Sequence, residues 1–390
     1  MPGSRVNMNC PKFETRVWKA SDISEAAAVL REGKTVAFPT ETVYGLGANA
    51  CSDEAVKGIF AAKGRPADNP LIVHVASVED AENLASLGSD ISFREHFREL
   101  AKEFWPGPLT LVVRQNTTAG LSNIATAGLD TVGIRVPGHG LARSLIKEAG
   151  VPVAAPSANT SGKPSPTCAD HVLHDMSGRI AGVLRDENDI CSNVGLESTV
   201  LDISSRPYTL LRPGAVTLSQ LQNCIGRENV RDVAEAYPLA PSMSCPPDED
   251  STEQDFIPRA PGMKYIHYAP QAPLHYVDGS MDVVCGMINT ELGRDKRIGL
   301  MCPQPTAQNE HVDAILRANP DSVKLLYCGK EGDSESIARE LYECLRRFDR
   351  ESNGVDVIIS FGFPQNGIGA AIQNRIRKAS TSVIVDIPEH

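Results

Sequence analysis

Between residues 15 and 215 the chain alternates short β-branched runs with stretches of helical periodicity, and that alternation limits it to a layered α/β architecture. The apolar runs are Thr35–Phe38, Leu71–Val75, Leu109–Val113, Val132–Val136, Pro152–Ala155, Thr199–Ile203 and Tyr208–Leu211. Helical patterns fall between them at Ile23–Arg31, Asp53–Ala62, Phe93–Phe104 and Leu141–Glu148, with Asp53 read as an N-cap and Gly64 as an exit. An amphipathic turn, Leu218–Ile225, closes this part. Composition then shifts: Pro238, Pro241, Pro246, Pro247, Pro258 and Pro261 surround the acidic string Asp248–Glu249–Asp250, as in an extended linker. A second alternating unit follows, with strands near Leu274–Val277, Arg297–Met301, Val323–Tyr327 and Val355–Ile359, and helices near Ser334–Arg347 and Gly369–Lys378. The expected organisation is a tail (1–14), a first α/β domain (15–229), a linker (230–270) and a smaller doubly wound domain (271–390).

At 390 residues the chain can bury two cores, and no apolar run approaches the roughly 20 residues that span a bilayer. No membrane association is expected. The first twenty residues lack the apolar core of a secretory signal and are not rich in arginine, so the expectation is cytoplasmic, with a mitochondrial pool the lesser alternative. The net charge of −11 argues against a chain whose main task is to hold nucleic acid. Residues 1–215 are nearly neutral, however, leaving room for a basic cleft there. Ten cysteines run from Cys10 to Cys344 without a C-x-x-C pair, so they read as small apolar residues, and no metal site is expected.

Four strings place polar groups where core strands should end. In FPTETVYGLG (Phe38–Gly47) Pro39 stops a strand, and Thr40 and Thr42 flank Glu41 before a glycine-containing turn; a capped loop explains it equally well. In AAKGRPADNPLIVHV (Ala61–Val75) Lys63 and Arg65 leave a helix, and Asn69 and His74 bracket the start of a strand. Arginine and lysine suit phosphate oxygens, but a solvated basic turn and a packed histidine would look the same. In DTVGIRVPGH (Asp130–His139) Val132, Ile134 and Val136 share one face, and Gly133 and Arg135 the other. A guanidinium there needs an anion, either a ligand or a structural carboxylate. PVAAPSANTSGKPSPT (Pro152–Thr167) supplies Ser157 and Ser165 on a loop able to cradle phosphate, or merely to turn. Further on, GLESTVLD and LLRPGAV add Ser198 and Arg212. Three candidate anion-binding arginines near strand ends, with hydroxyl-rich loops, would fit a nucleotide across one sheet face. No P-loop, kinase glycine loop or H-E-x-x-H is present, and the G-x-G at Gly367–Gly369 comes too late for a dinucleotide fold.

Together with W-P-G-P-L-T (Trp105–Thr110), P-S-A-N-x-S-G, P-G-M-K-Y-x-H-Y-A-P (Pro261–Pro270) and G-I-G-x-A-I-x-N-R-I-x-K-A (Gly367–Ala379), these strings resemble the threonylcarbamoyl-AMP synthase family in its long form. That resemblance implies a YrdC-like twisted mixed sheet with flanking helices, followed by a Rossmann-like α/β domain. It implies that L-threonine, bicarbonate and ATP become threonylcarbamoyl-AMP and pyrophosphate, with Mg2+ held mainly by the phosphates. Thr42, His74, Arg135, Ala155 (through its backbone) and Ser198 would contact threonine or its carbamate. Arg65, Asn69, Thr131, Ser157, Ser165, Arg212 and Tyr265 would contact ATP, and Lys63 would add positive charge beside Arg65 and Arg135 in catalysis. The string Pro261–Pro270 is expected to fold over the cleft. The implied recipient is a separate transferase complex that modifies the adenine beside the anticodon of ANN-decoding tRNAs, with weak or no direct tRNA binding by this chain. Two alternatives remain. One is a non-catalytic RNA-binding maturation factor using a basic concave sheet. The other is a hydrogenase-maturing carbamoyltransferase, whose zinc-finger cysteine pairs and acylphosphatase segment are missing here.

Overall fold

The computed structural model describes residues 13–66, 69–186, 192–232, 268–305, 310–350 and 354–385. In chain order the first part forms β1 (Arg16–Trp18), α1 (Ile23–Arg31), β2 (Val36–Phe38), β3 (Gly45–Asn49), α2 (Asp53–Lys63), β4 (Ile72–His74), α3 (Val78–Leu84) and α4 (Ile91–Phe104). It continues with β5 (Leu109–Arg114), β6 (Thr131–Arg135), α5 (Gly140–Ala149), β7 (Val153–Ala154), α6 (Ala169–Met176) and β8 (Gly182–Leu184). β9 (Thr199–Asp202), β10 (Tyr208–Arg212), α7 (Leu218–Ile225) and β11 (Val230–Asp232) complete it. The eleven strands pair in the order β1-β8-β2-β3-β7-β4-β6-β5-β9-β10-β11, with parallel and antiparallel neighbours mixed.

The central strands are buried on both faces, and that is why they read as continuous apolar runs. α5 turns Ala142, Leu145, Ile146 and Ala149, an i, i+3, i+4, i+7 stripe, onto Ala26, Ala27 and Leu30 of α1. The cap of α2 falls one residue earlier than Asp53: Ser52 Oγ accepts from Ala55 N at 3.3 Å, and Asp53 opens the helix proper. Gly64 ends it at φ 62°, a left-handed conformation suited to glycine. The glycines after Tyr44 make a strand and not the expected turn. A Cβ on Gly47 would sit 2.7 Å from both Phe38 and Val153, so the residue is there for close strand packing.

The second sheet is wholly parallel, in the order β14 (Val323–Lys330), β13 (Ile298–Gln304), β15 (Val357–Phe361), β12 (Leu274–Asp278), β16 (Ser382–Val385). Around it lie α8 (Met281–Leu292), α9 (Glu310–Ala318), α10 (Ser334–Arg350) and α11 (Gly369–Ala379). α10 is the seam between the sheets. Ile337, Leu341, Tyr342, Leu345 and Phe348 pack in one cluster with Val43 and Leu196 of the first part. Gly195 (φ 78°) lets α10 come close, since a Cβ there would lie 2.3 Å from Arg339 Cα. Polar ties cross the same seam: Arg346 Nη2 to Asp175 Oδ2 at 2.9 Å, and His171 Nε2 to Glu343 Oε2 at 2.6 Å. Among the described residues no helix is long and apolar enough to cross a membrane.

Candidate active site

An open cleft lies over the ends of β4, β6 and β7, walled by the Thr40–Gly45 loop, the end of α2, the Ser157–Lys163 loop and the Glu197–Ser198 corner. Register explains why distant residues meet. His74 on β4 pairs with Arg135 on β6 on one side and with Val153 on β7 on the other. Ala155 follows β7, its N–H donating to Ile72 O at 2.9 Å.

Arg135 is buried, its Nε donating to Gly107 O at 3.3 Å and its Nη2 lying 2.7 Å from Glu41 Oε1. Burial disfavours the charged Glu41, yet Arg135 and the Gly138 N–H outweigh it and hold its pKa below the usual value. Beside them, burial and the Arg135 charge push His74 down to about 3, so its imidazole is neutral at physiological pH. Its Nδ1 is buried without a hydrogen bond and lies in the cleft wall, a polar atom without a protein partner. Thr40 organises the loop above: its Oγ1 donates to Val43 O at 2.6 Å, accepts from Val43 N at 3.2 Å and lies 2.8 Å from the fully buried Thr42 hydroxyl.

Across the cleft, Arg212 donates from Nε to Ser198 O at 3.0 Å and from Nη2 to Ser198 Oγ at 3.2 Å. Ser198 Oγ also lies 2.8 Å from Thr110 Oγ1. Glu197 shares this wall. Burial again opposes its charge, but Arg375 and Arg212 prevail and bring it down to about 2. Lys63 Nζ donates to Ser157 O and to Asn159 O at 2.6 Å and lies 3.5 Å from Asn159 Oδ1, bracing the loop. Burial above all, with Arg65 nearby, lowers its pKa well below the lysine range.

Thr42, Lys63, Arg65, His74, Arg135, Ala155, Ser157, Ser198 and Arg212 therefore converge on one cleft. Ser165 stands behind it, donating to Glu197 Oε1 at 2.5 Å. Asn69 is fully buried and Thr131 begins β6, at the opposite end of that strand from Arg135; neither lines the cleft. Tyr265, and with it Pro261–His267, lies outside the described residues. Within the same Pro261–Pro270 string, Tyr268 lines the cleft at φ 71°, its ring 5.2 Å from that of Tyr342, while Ala269 N donates to Gly162 O at 2.9 Å.

Sequence reasoning passed over Glu41, Glu197 and Asn159. The signal for the carboxylates was available, since a buried arginine requires an anion and each acid stands inside a string already singled out. Among the described residues no cluster of three or more His, Cys, Asp or Glu could hold a metal ion. Glu197, which lines the cleft, is already engaged by Arg375, Tyr342 and Ser165, and Glu41, outside the lining, by Arg135. The donor set therefore does not suit a protein-held Mg2+.

A relative from Bacillus subtilis named threonylcarbamoyl-AMP synthase is 43% identical over 363 residues, 93% of this chain and 94% of its own. The chain belongs to the threonylcarbamoyl-AMP synthase family. A protein of the same name from Schizosaccharomyces pombe is 36% identical, spanning 100% of this chain and 94% of its own length. A family model described as "Telomere recombination", covering Sua5, YciO and YrdC proteins, matches residues 28–214. A second, described as "Threonylcarbamoyl-AMP synthase, C-terminal domain", matches residues 216–381. The crystal structure of Pyrococcus abyssi Sua5 complexed with L-threonine superposes with a TM-score of 0.79 at 39% identity, covering 96% of this chain and 100% of that one. The chain is thus an enzyme, a transferase of the threonylcarbamoyl-AMP synthase family with the two-domain fold.

Proposed function

We propose that this enzyme converts L-threonine, bicarbonate and ATP into threonylcarbamoyl-AMP and pyrophosphate, in the service of tRNA threonylcarbamoylation. The observation that carries the reading is the cleft itself. Buried Arg135 and Arg212 both line it together with the neutral His74, and Lys63 is engaged by the carbonyls of Ser157 and Asn159. Such a site suits a reaction between two bound substrates that needs alignment and charge neutralisation.

In this reading Arg135, Thr42, His74, Ser198 and the Ala155 backbone hold threonine and the carbamate formed when its amine captures CO2 derived from bicarbonate. A carbamate oxygen then attacks the α-phosphorus of ATP; the P–O bond to the β-phosphate breaks, and pyrophosphate leaves with that electron pair. Arg65, Arg212 and Ser157 line the nucleotide side, with Ser165 behind them on Glu197, and ATP arrives as its magnesium complex, with the ion carried by phosphate oxygens. Lys63 contributes by fixing the carbonyls of Ser157 and Asn159, and hence the loop that faces the phosphates. Asn69 and Thr131, which do not line the cleft, belong to the proposed nucleotide contacts only if ATP binding draws them in, and Tyr265 is proposed there from the family resemblance alone. The product, a mixed anhydride prone to hydrolysis, passes to a separate transferase complex acting beside the anticodon of ANN-decoding tRNAs. The test is pyrophosphate release by the full chain, which should require threonine, bicarbonate and ATP together. Equal release with alanine in place of threonine removes the threonine assignment, and release without bicarbonate removes the carbamate.

A further inference from the structure

Glu197 is held from behind by the second domain. Arg375 on α11 is fully buried, and its Nε donates to Glu197 Oε2 at 2.9 Å. Nη2 donates to the Glu197 carbonyl at 3.4 Å and Nη1 to the Pro213 carbonyl at 2.7 Å. Glu197 directly precedes Ser198, and Pro213 directly follows Arg212. One guanidinium from the second domain thus grips the chain beside Ser198, on the proposed threonine side, and beside Arg212, on the proposed nucleotide side. Tyr342 on α10 adds its hydroxyl to the same carboxylate, 3.0 Å from Oε1 and 2.9 Å from Oε2. Arg375 does not line the cleft, so it has no direct route to a substrate.

The arrangement resolves a competition. A buried carboxylate beside Arg212 would, if left alone, draw that guanidinium onto itself, because an uncompensated buried charge is costly. With Arg375 on Glu197, Arg212 instead rests on the oxygens of Ser198. We propose that Arg375 is a positioning residue for ATP: by satisfying Glu197 and fixing Pro213 it keeps Arg212 presented to the nucleotide. The second domain then tunes the nucleotide side of the cleft through one side chain. This rests on the proposed reading of the cleft.

The experiment is steady-state pyrophosphate release by full-length variants, with KM for ATP and for threonine measured separately. Arg375→Met should raise KM for ATP by about tenfold or more, the loss of one aligned charge-assisted contact, and change KM for threonine by less than about threefold. Arg375→Lys, which retains the charge, should recover most of the ATP affinity. Adding Glu197→Gln to Arg375→Met should also lower KM for ATP again, since no carboxylate remains to capture Arg212, while the Gln carbonyl still accepts from Ser165 and Tyr342. A purely structural Arg375 predicts otherwise: fewer active molecules, a lower kcat and an unchanged KM throughout. Should Arg375→Met not fold, Arg375→Gln serves as the single variant. A folded single variant with wild-type KM for ATP overturns the proposal, as does a double variant no better than the single. If the unaltered protein shows no threonine-dependent pyrophosphate release, the functional reading itself fails, and that result is distinct from both.

Discussion

Arg135 and Arg65 illustrate how differently two cleft arginines respond to removal. Arg135 lies against Glu41 in a buried pair, so Arg135→Ala strands a carboxylate and should destabilise the fold by about 3–5 kcal/mol. Arg65 is half-buried at the cleft mouth, and Arg65→Ala should leave the thermal midpoint nearly unchanged. Both should lose turnover, roughly tenfold to a hundredfold in kcat/KM for each charge-assisted contact. The Glu41 contact is what separates Arg135 from Arg65. Calorimetry beside kinetics checks it, with the pair Glu41→Gln and Arg135→Met as control. That pair should regain stability without regaining activity. Recovery of turnover in the pair would mean that the guanidinium serves the fold alone.

At the level of elements, α10 and α11 matter less for their place around the second sheet than for what they bring to the first. Arg375 holds the Glu197 pKa at about 2 against burial, below its ordinary 4.5. A carboxylate depressed in the folded state stabilises the protein fully above its unfolded pKa. That contribution, on the order of 3 kcal/mol, is lost as pH falls from about 4.5 to about 2. Glu197→Gln has no such proton to take up. The stability gap between the natural protein and this variant, wide at neutral pH, should therefore narrow across that interval in thermal melts. A gap that stays constant to pH 2 would show that Glu197 is not held ionised by the seam.

For the whole molecule, the question is whether the first domain stands without the second. Among the described residues, every one lining the cleft except Tyr268 comes from the part ending at Asp232. Cutting after Asp232 exposes Glu197 and Asp175 to water, which solvates them, so the cost is milder than that of deleting Arg375 or Arg346 inside the intact seam. Leu196 and Val43 lose their apolar cover. The truncated chain should be folded by circular dichroism, melt at a lower temperature and show a raised KM for ATP. Failure to obtain a folded product would make the seam part of the first domain's own core, and full activity would reduce the second domain to a tether.

What the sequence determined by itself was local. The Leu109–Val113 and Val132–Val136 runs announce buried strands, Gly64 announces a helix exit, and the alternation around Arg135 puts a charge on a sheet face. Each follows from side-chain period or backbone freedom within a few residues. The sequence also carries the strings whose resemblance names the family. The short strands β1, β8 and β11, three residues each, escaped because so few positions show no alternation. α8 escaped because its apolar residues do not confine themselves to one face. Only the tertiary structure decided the partners. Which carboxylate faces Arg135, which loop Lys63 braces and which domain restrains Glu197 depend on contacts between residues 94 to 178 positions apart. The energy that selects them, the cost of an unpaired charge in a dry interior, exists only once the chain has closed around it.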